Sequence, residues 1–409
     1  MRFFLINQYS GNKGDRAVLY AMCRLLKSAY PDSQITVSTS DKKLWEGYEY
    51  YHTEKINFVP WSWDYNNVRK NKLYWKFLNS CKKYTFTIFR ETFLRNICIA
   101  KFIANPDFYK TLKSSDIVIS VGGHHFTTML SRDLVSEINF DAMTVLSKKT
   151  MICFSQSFGP FNFYNNRNKE LTKRILSKCI LMPRENKAKI DLIDFIGEKG
   201  NIHSTYESVL SLSKYIKYNP VEFRDNAIGI SIYCTQSRTQ TDKQKYQKVI
   251  SEFCDYAISK GFSIRFFPME IKGSGPDDRY FIKEIISQTK QSEKCSIYDM
   301  DMETLDHLNE VAKCKIFLGH KTHSTIFALA TGTPLIAISY HPKTIEFLQQ
   351  FNLKDNVIDD TKISTSDIRD IFDRITNDLE SVSRHEYDYS KKIANQIECD
   401  ITKAINSIS

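Results

Sequence analysis

The chain has 409 residues, 42% hydrophobic and 25% charged, with a formal net charge of +10, which describes a globular protein too long for one ordinary α/β core and favours an acidic partner such as a phosphorylated small molecule, an anionic lipid or nucleic acid. No run approaches the roughly 20 apolar residues that span a bilayer, and Met1 to Asn7 is too short an apolar stretch for a secretory signal, so the chain reads as cytoplasmic. The ten cysteines stand singly without a C-x-x-C pair, which excludes a zinc ribbon or thioredoxin-type site and leaves them as small buried hydrophobes.

Arg2 to Ile6 is a strand candidate, Ser10-Gly-Asn-Lys-Gly-Asp a turn, and Arg16 to Ala29 has helical periodicity, ended by Pro31. Ile35 to Ser38 begins the next strand. This β–turn–α–β unit predicts a parallel sheet. Asn12 and Gly14 form a flexible, donor-rich turn at the helix start. Asp15 is either the cap of that helix or an acceptor for a proton from a substrate hydroxyl. From Arg69 to Ile103, Arg69, Lys70, Lys72, Lys76, Lys82, Lys83, Arg90, Arg95 and Lys101 face Glu91 alone, interleaved with aromatic residues. An insertion of about 65–110 is expected there. It is either a helical hairpin packing its aromatics on the first domain or a segment docking on a membrane surface. No nucleic-acid-binding module pattern accompanies it.

Asp116 to Val121 is a strand ending in Gly122-Gly123-His124-His125, and Met151 to Ser155 is another, followed by Gln156-Ser-Phe-Gly-Pro160. A helix from about Asn166 to Cys179 precedes Ile180-Leu-Met and Pro183-Arg184-Glu185. Arg184 is a candidate anion-binding cation or a salt-bridge partner for its neighbours. Lys214 to Asn226 is polar, carries Pro220 and reads as the linker. The expected domains are therefore 1–215, 226–350, and closing helices over 351–409. In the second domain come strand Ile228 to Ile232, helix Lys243 to Lys260, strand Ser263 to Phe267 and the loop Pro268 to Asp278.

The most informative stretch runs from Val311 to Lys343. Strand Ile316 to Leu318 leads through a polar turn into a helix over Ser324 to Ala330. A Gly-x-Pro turn follows, then strand Leu335 to Ile338. The polar turn holds His320, Lys321, Thr322, His323 and Ser324. In an open parallel sheet, ligands lie at the carboxyl ends of strands, over helix N-termini whose N–H groups attract anions. Two imidazoles and an ammonium there suit a phosphorylated or carboxylated substrate that needs a proton donor. The chain has no G-x-x-x-x-G-K-[ST], no G-x-G-x-x-G after a strand, no G-x-S-x-G and no H-E-x-x-H. A zinc site would need His124, His125, His320, His323 and His341 to converge with further ligands, and no metal is expected.

With these residues in view, the chain resembles the polysaccharide pyruvyl transferase family. The resembling pieces are Gly11-Asn12-x-Gly14-Asp15, Gly122-Gly123, Gln156-x-x-Gly159-Pro160, Pro183-Arg184-Glu185, and the block from Leu318 to Lys343. In that block the family pattern is Gly-x-Arg-x-His-x-x-Ile-x-Ala, then Gly-x-Pro, then Tyr-x-x-Lys. Gly319, His323, Ile326, Ala328, Gly332, Pro334, Tyr340 and Lys343 match it, while Lys321 replaces the arginine and loses bidentate anion recognition. The resemblance implies an α/β protein of two Rossmann-like domains with parallel sheets in a GT-B-like arrangement, acceptor side first and donor side second, with the active site in the interdomain cleft. It implies transfer of the pyruvyl group of phosphoenolpyruvate onto two hydroxyls of a sugar as a cyclic ketal, in surface or capsular polysaccharide synthesis. Phosphoenolpyruvate is then a co-substrate and no cofactor is needed. The acceptor is a saccharide, lipid-linked if residues 69–103 dock the protein on the cytoplasmic face of a membrane. His323 would be the general acid and Asp15 the base. Arg184, Lys321 and Lys343 would meet the anion, with Asn12, Gly14, Gly122, Gly123, His124, His320 and Ser324 around the substrate. A glycosyltransferase using a nucleotide-sugar donor is the alternative, and a catalytically silent glycan-binding partner a further one.

Overall fold

Runs such as Phe3-Phe4-Leu5-Ile6 and Leu335-Ile336-Ala337-Ile338 are apolar at consecutive positions, as strands covered on both faces must be. The computed structural model describes residues 1–8, 11–61, 105–129, 149–198, 200–233, 238–271, 276–298, 300–340 and 342–408. The basic aromatic stretch 69–103 lies outside the described residues, as does the expected insertion of about 65–110 as far as residue 104.

The chain divides into two compact units, one made of Met1–Tyr9, Met22–Glu207 and Glu398–Ser409, the other of Ser10–Ala21 and Ser208–Ile397. In the first, β1 (Arg2–Gln8), β2 (Gln34–Thr39), β3 (Asn57–Pro60), β4 (Ile117–Ser120), β5 (Gly123–Phe126), β6 (Met151–Phe158) and β7 (Ile180–Pro183) form one sheet. Its order is β3-β2-β1-β4-β6-β5, with β7 also paired to β6, and every pairing is parallel. Phe4 of β1 lies opposite Thr36 and Val118. Phe4, Phe108, Val118, Phe126, Cys153 and Leu181 meet in its core. Each such apolar side chain contributes about 1.5–3 kcal/mol when fully buried.

In the second unit, β8 (Asp225–Ser231), β9 (Ser263–Phe266), β10 (Cys295–Ile297), β11 (Cys314–Gly319), β12 (Leu335–Ser339) and β13 (Val357–Asp359) give the parallel order β10-β9-β8-β11-β12-β13. The helix Gln240–Ser259 begins with a capping box in which Thr239 and Asp242 satisfy each other's backbone N–H groups. The helix Thr322–Thr331 is buried from Ser324 onward and stops at Gly332, whose φ of 65° only glycine adopts without strain. A Cβ on Gly332 would sit 2.5 Å from that of Tyr387, in the helix Leu379–Asn406.

The observed division differs from the expected 1–215, 226–350 and 351–409. The turn after β1 belongs to the second unit, where Lys13 N–H donates to the Met269 carbonyl at 3.1 Å. The expected linker is packed structure. Val221 N–H donates to Glu380 at 2.9 Å, and Arg224 donates to Ser383 at 2.6 Å and to the Gly332 carbonyl at 3.2 Å. This polar stretch hydrogen-bonds to the helix Leu379–Asn406 and to the turn at Gly332.

Candidate functional site

Between β8 and β11 the second sheet reverses its strand order, and ligands of open parallel sheets bind at such a reversal, beyond the carboxyl ends. A cavity of about 180 Å³ opens there, wholly within the second unit, lined by Asn12, Gly14, Tyr233, Met269, Glu270, Lys321, Thr322, His323 and Tyr340. Tyr233 follows β8, Met269 and Glu270 follow β9, and Lys321 to His323 follow β11. Four of the residues expected from sequence, Asn12, Gly14, Lys321 and His323, therefore meet in one place.

Gly14 explains how His323 fits. A Cβ at position 14 would stand 2.4 Å from His323 Nδ1 and 2.6 Å from its Cγ, so the imidazole occupies space that only glycine leaves open. Lys321 is the N-cap of the helix Thr322–Thr331. Its Nζ lies 3.0 Å and 2.9 Å from the two carboxylate oxygens of Asp278 and 5.6 Å from the centre of the Tyr233 ring. Asp278 is buried, and its Oδ2 also accepts the N–H groups of Met269 at 2.9 Å and Glu270 at 2.8 Å. An ammonium has three donors, so this pair leaves Lys321 able to donate to a ligand as well. The rings of Tyr233 and Tyr340 lie 4.4 Å apart at 43°. Partial burial raises the Tyr340 phenol above its ordinary pKa and the Asp15 charge adds to this, against hydrogen bonds from Thr322.

Asp15 does not line the cavity. Asn12 Nδ2 donates to its Oδ2 at 2.9 Å and its own N–H donates to Asn12 Oδ1 at 2.8 Å, the reciprocal pattern of a helix start. His320 is not a ligand-facing group. Its N–H continues the ladder to the Ser231 carbonyl at 3.0 Å, which turns the ring inward, and it is fully buried. There the Tyr246 hydroxyl lies 2.8 Å from Nδ1, and Nε2 is 3.2 Å from Asp360, itself paired with Arg238. Burial lowers the His320 pKa, with Asp360 opposing. Ser324 is also buried, its hydroxyl donating to the Lys321 carbonyl at 2.6 Å.

Arg184, Gly122, Gly123 and His124 belong to the first unit. Arg184 is buried and donates to Ser157 at 3.0 Å and to Glu185 at 3.1 Å, and pairs with Glu207. Burial disfavours its charge, and Glu207 and Glu185 outweigh that. His124 donates from Nε2 to the Gly159 carbonyl at 2.7 Å, and the Gly122 carbonyl lies 3.2 Å from His125 Nε2. Gly123 has φ of 145° and backs onto His125, which a Cβ there would approach to 2.5 Å. The side chain of Lys343 and the whole of His341 lie outside the described residues.

Sequence reasoning missed Tyr233, Glu270 and Asp278. The first two follow strands of a parallel sheet, which was the available signal. Asp278 reads from sequence only as a helix-start residue beside Asp277, the actual cap.

A family model described as polysaccharide pyruvyl transferase matches residues 12–342. The chain is 21% identical over 342 residues to the amylovoran biosynthesis protein AmsJ of Erwinia amylovora, covering 76% of this chain and 78% of that one. Among solved structures it is similar to the UDP-GlcNAc 2-epimerase of Neisseria meningitidis bound to UDP-GlcNAc, with a TM-score of 0.60, 11% identity and 100% of both chains covered. It is also similar to a glycosyltransferase of Rickettsia africae, with a TM-score of 0.55, 12% identity, and 100% of this chain and 98% of that one covered. At these identities the structural likeness is one of fold, the two-domain α/β class with parallel sheets to which GT-B-like enzymes belong.

Proposed function

The chain belongs to the polysaccharide pyruvyl transferase family, and from that membership we propose that it moves the pyruvyl group of phosphoenolpyruvate onto two hydroxyls of a sugar, forming a cyclic ketal during polysaccharide synthesis. One observation carries the reading: His323 and Lys321 line the same cavity at the strand-order reversal of the second sheet. The relative from Erwinia amylovora, described by its role in amylovoran biosynthesis, supports a polysaccharide as the product.

The residues suit the chemistry. The donor carries a carboxylate and a phosphate. Lys321 and the N-terminus of the helix Thr322–Thr331 supply positive potential to the cavity. Protonated His323 delivers its proton to the methylene carbon of the donor, leaving positive charge on the adjacent carbon. A sugar hydroxyl adds to that carbon and loses its proton. The carbon–oxygen bond to phosphate then breaks, and a second hydroxyl adds to close the ketal and loses its proton in turn. The products are the ketal and inorganic phosphate, with no oxidant or reductant consumed.

The test incubates the purified protein with phosphoenolpyruvate and acceptors ending in galactose, mannose or glucosamine. Acceptor-dependent phosphate release is expected, with a product heavier by pyruvic acid less one water. Absence of phosphate with every acceptor, together with a rise in melting temperature on adding a nucleotide sugar but not phosphoenolpyruvate, would replace this reading with a glycosyltransferase.

A further inference from the structure

The ketal reaction just proposed, on which this inference rests, needs a group to take the proton of each attacking hydroxyl. Asp15 was the expected candidate, yet its carboxylate is held in the helix start by Asn12 and lies off the cavity wall. We propose that Glu270 is the general base. It is the carboxylate that lines the cavity together with His323, so that a proton donor and a proton acceptor share one space of about 180 Å³.

The surroundings fix Glu270 as an active-site group is fixed. It is 9% exposed. Its N–H is held at 2.8 Å by Asp278, whose two oxygens also hold Lys321 at 3.0 Å and 2.9 Å, so one buried carboxylate sets the position of both the cation and the glutamate backbone. It follows β9, adjacent to β8 in the sheet, at the carboxyl end where reacting groups are found. Charge adds a further reason. A carboxylate in the wall of a cavity that takes a dianionic or trianionic donor repels that donor. A fixed base for the hydroxyl nucleophile gives that repulsion a purpose, because the carboxylate is neutralised as it takes the proton. In each addition the hydroxyl O–H breaks, its proton goes to Glu270, and the oxygen's electron pair forms the new bond to the carbon that His323 has activated; the first proton passes on to the departing phosphate, which frees Glu270 to take the second.

The test uses the full-length protein in the phosphoenolpyruvate assay. Glu270→Gln keeps the shape of the side chain and removes its basicity. Acceptor-dependent phosphate release should fall by about 10²–10⁴-fold with the melting temperature unchanged, and the acidic limb of the kcat/KM pH profile should vanish. In Glu270→Ala, added formate should enter the vacated space and restore part of the rate. Wild-type turnover in Glu270→Gln overturns the inference while leaving the ketal reaction standing. Loss of turnover with the acidic limb intact and no rescue by formate overturns it too, because that outcome assigns Glu270 a structural role. If the unaltered protein releases no phosphate with any acceptor, the ketal reading fails and the inference falls with it.

Discussion

His323 owes its place to the absence of a side chain 309 positions earlier, at Gly14. Removing the imidazole in His323→Ala should lower phosphate release by about two to four orders of magnitude while the melting temperature stays put, as for a lost general acid. Gly14→Ala tests the same residue from the other side. Its methyl would overlap the ring, so turnover should fall even though no reacting group has been altered, and steady-state kinetics on a variant with an unchanged circular dichroism spectrum reads it. At this scale the sequence was legible where a motif fixes a residue type, as with His323. It was silent about direction. His320 and His323 share one turn, and only the ladder bond from His320 to Ser231 turns one ring inward. Arg184 fits the family pattern, yet Glu185 and Glu207 claim its guanidinium; Glu207 lies 23 residues away, a separation without periodic signal.

The elements that present these residues depend on their ends. Asn12 caps the helix Lys13–Ala29 by accepting from Asp15 N–H and donating back to the Asp15 carboxylate. Asn12→Ala should therefore cost about 0.5–2 kcal/mol of stability, measurable as a lower urea midpoint with an unchanged slope. Sequence periodicity foresaw this helix from Arg16, three residues late, because its first turn is built of turn-forming types. The long buried strands β1, β6, β8, β11 and β12 were all legible as apolar runs. The short edge strands β3, β10 and β13, and β5 at its Gly-Gly start, were not. Unlike the equally short β4 and β7, they carry no run of three aliphatic residues, and their partners in the sheet decide their conformation.

For the whole molecule, buried imidazoles set the response to acid. His307 is almost fully buried between Phe267 and Phe327, and neither ring nitrogen has a hydrogen-bond partner among the described residues. Burial holds its pKa well below 6.5, helped by the charges of Lys13 and Arg16, and burial lowers that of His320. The unfolded chain therefore binds protons first as pH falls below 6.5, and the stability these groups confer above that value is lost toward their lower folded values. Glu386 acts in the opposite sense: burial raises its pKa well above 4.5, so its contribution is present below that value and is lost as pH rises. Comparing His307→Leu with its parent isolates the imidazole. Between about pH 7.5 and about pH 5.5, denaturant midpoints should fall less in the variant, and equal falls would remove His307 from the account.

The second unit takes Ser10–Ala21 from near the start of the sequence and the rest from Ser208–Ile397. A ribosome-bound nascent chain that stops short of Ser208 can contain Asn12 and Gly14 without any of the strands they settle against. Gly14, the residue that admits His323, is synthesised 309 additions before that imidazole exists. At the 5–20 residues per second of translation, that delay is on the order of tens of seconds. This cavity is thus among the last features the polypeptide can complete.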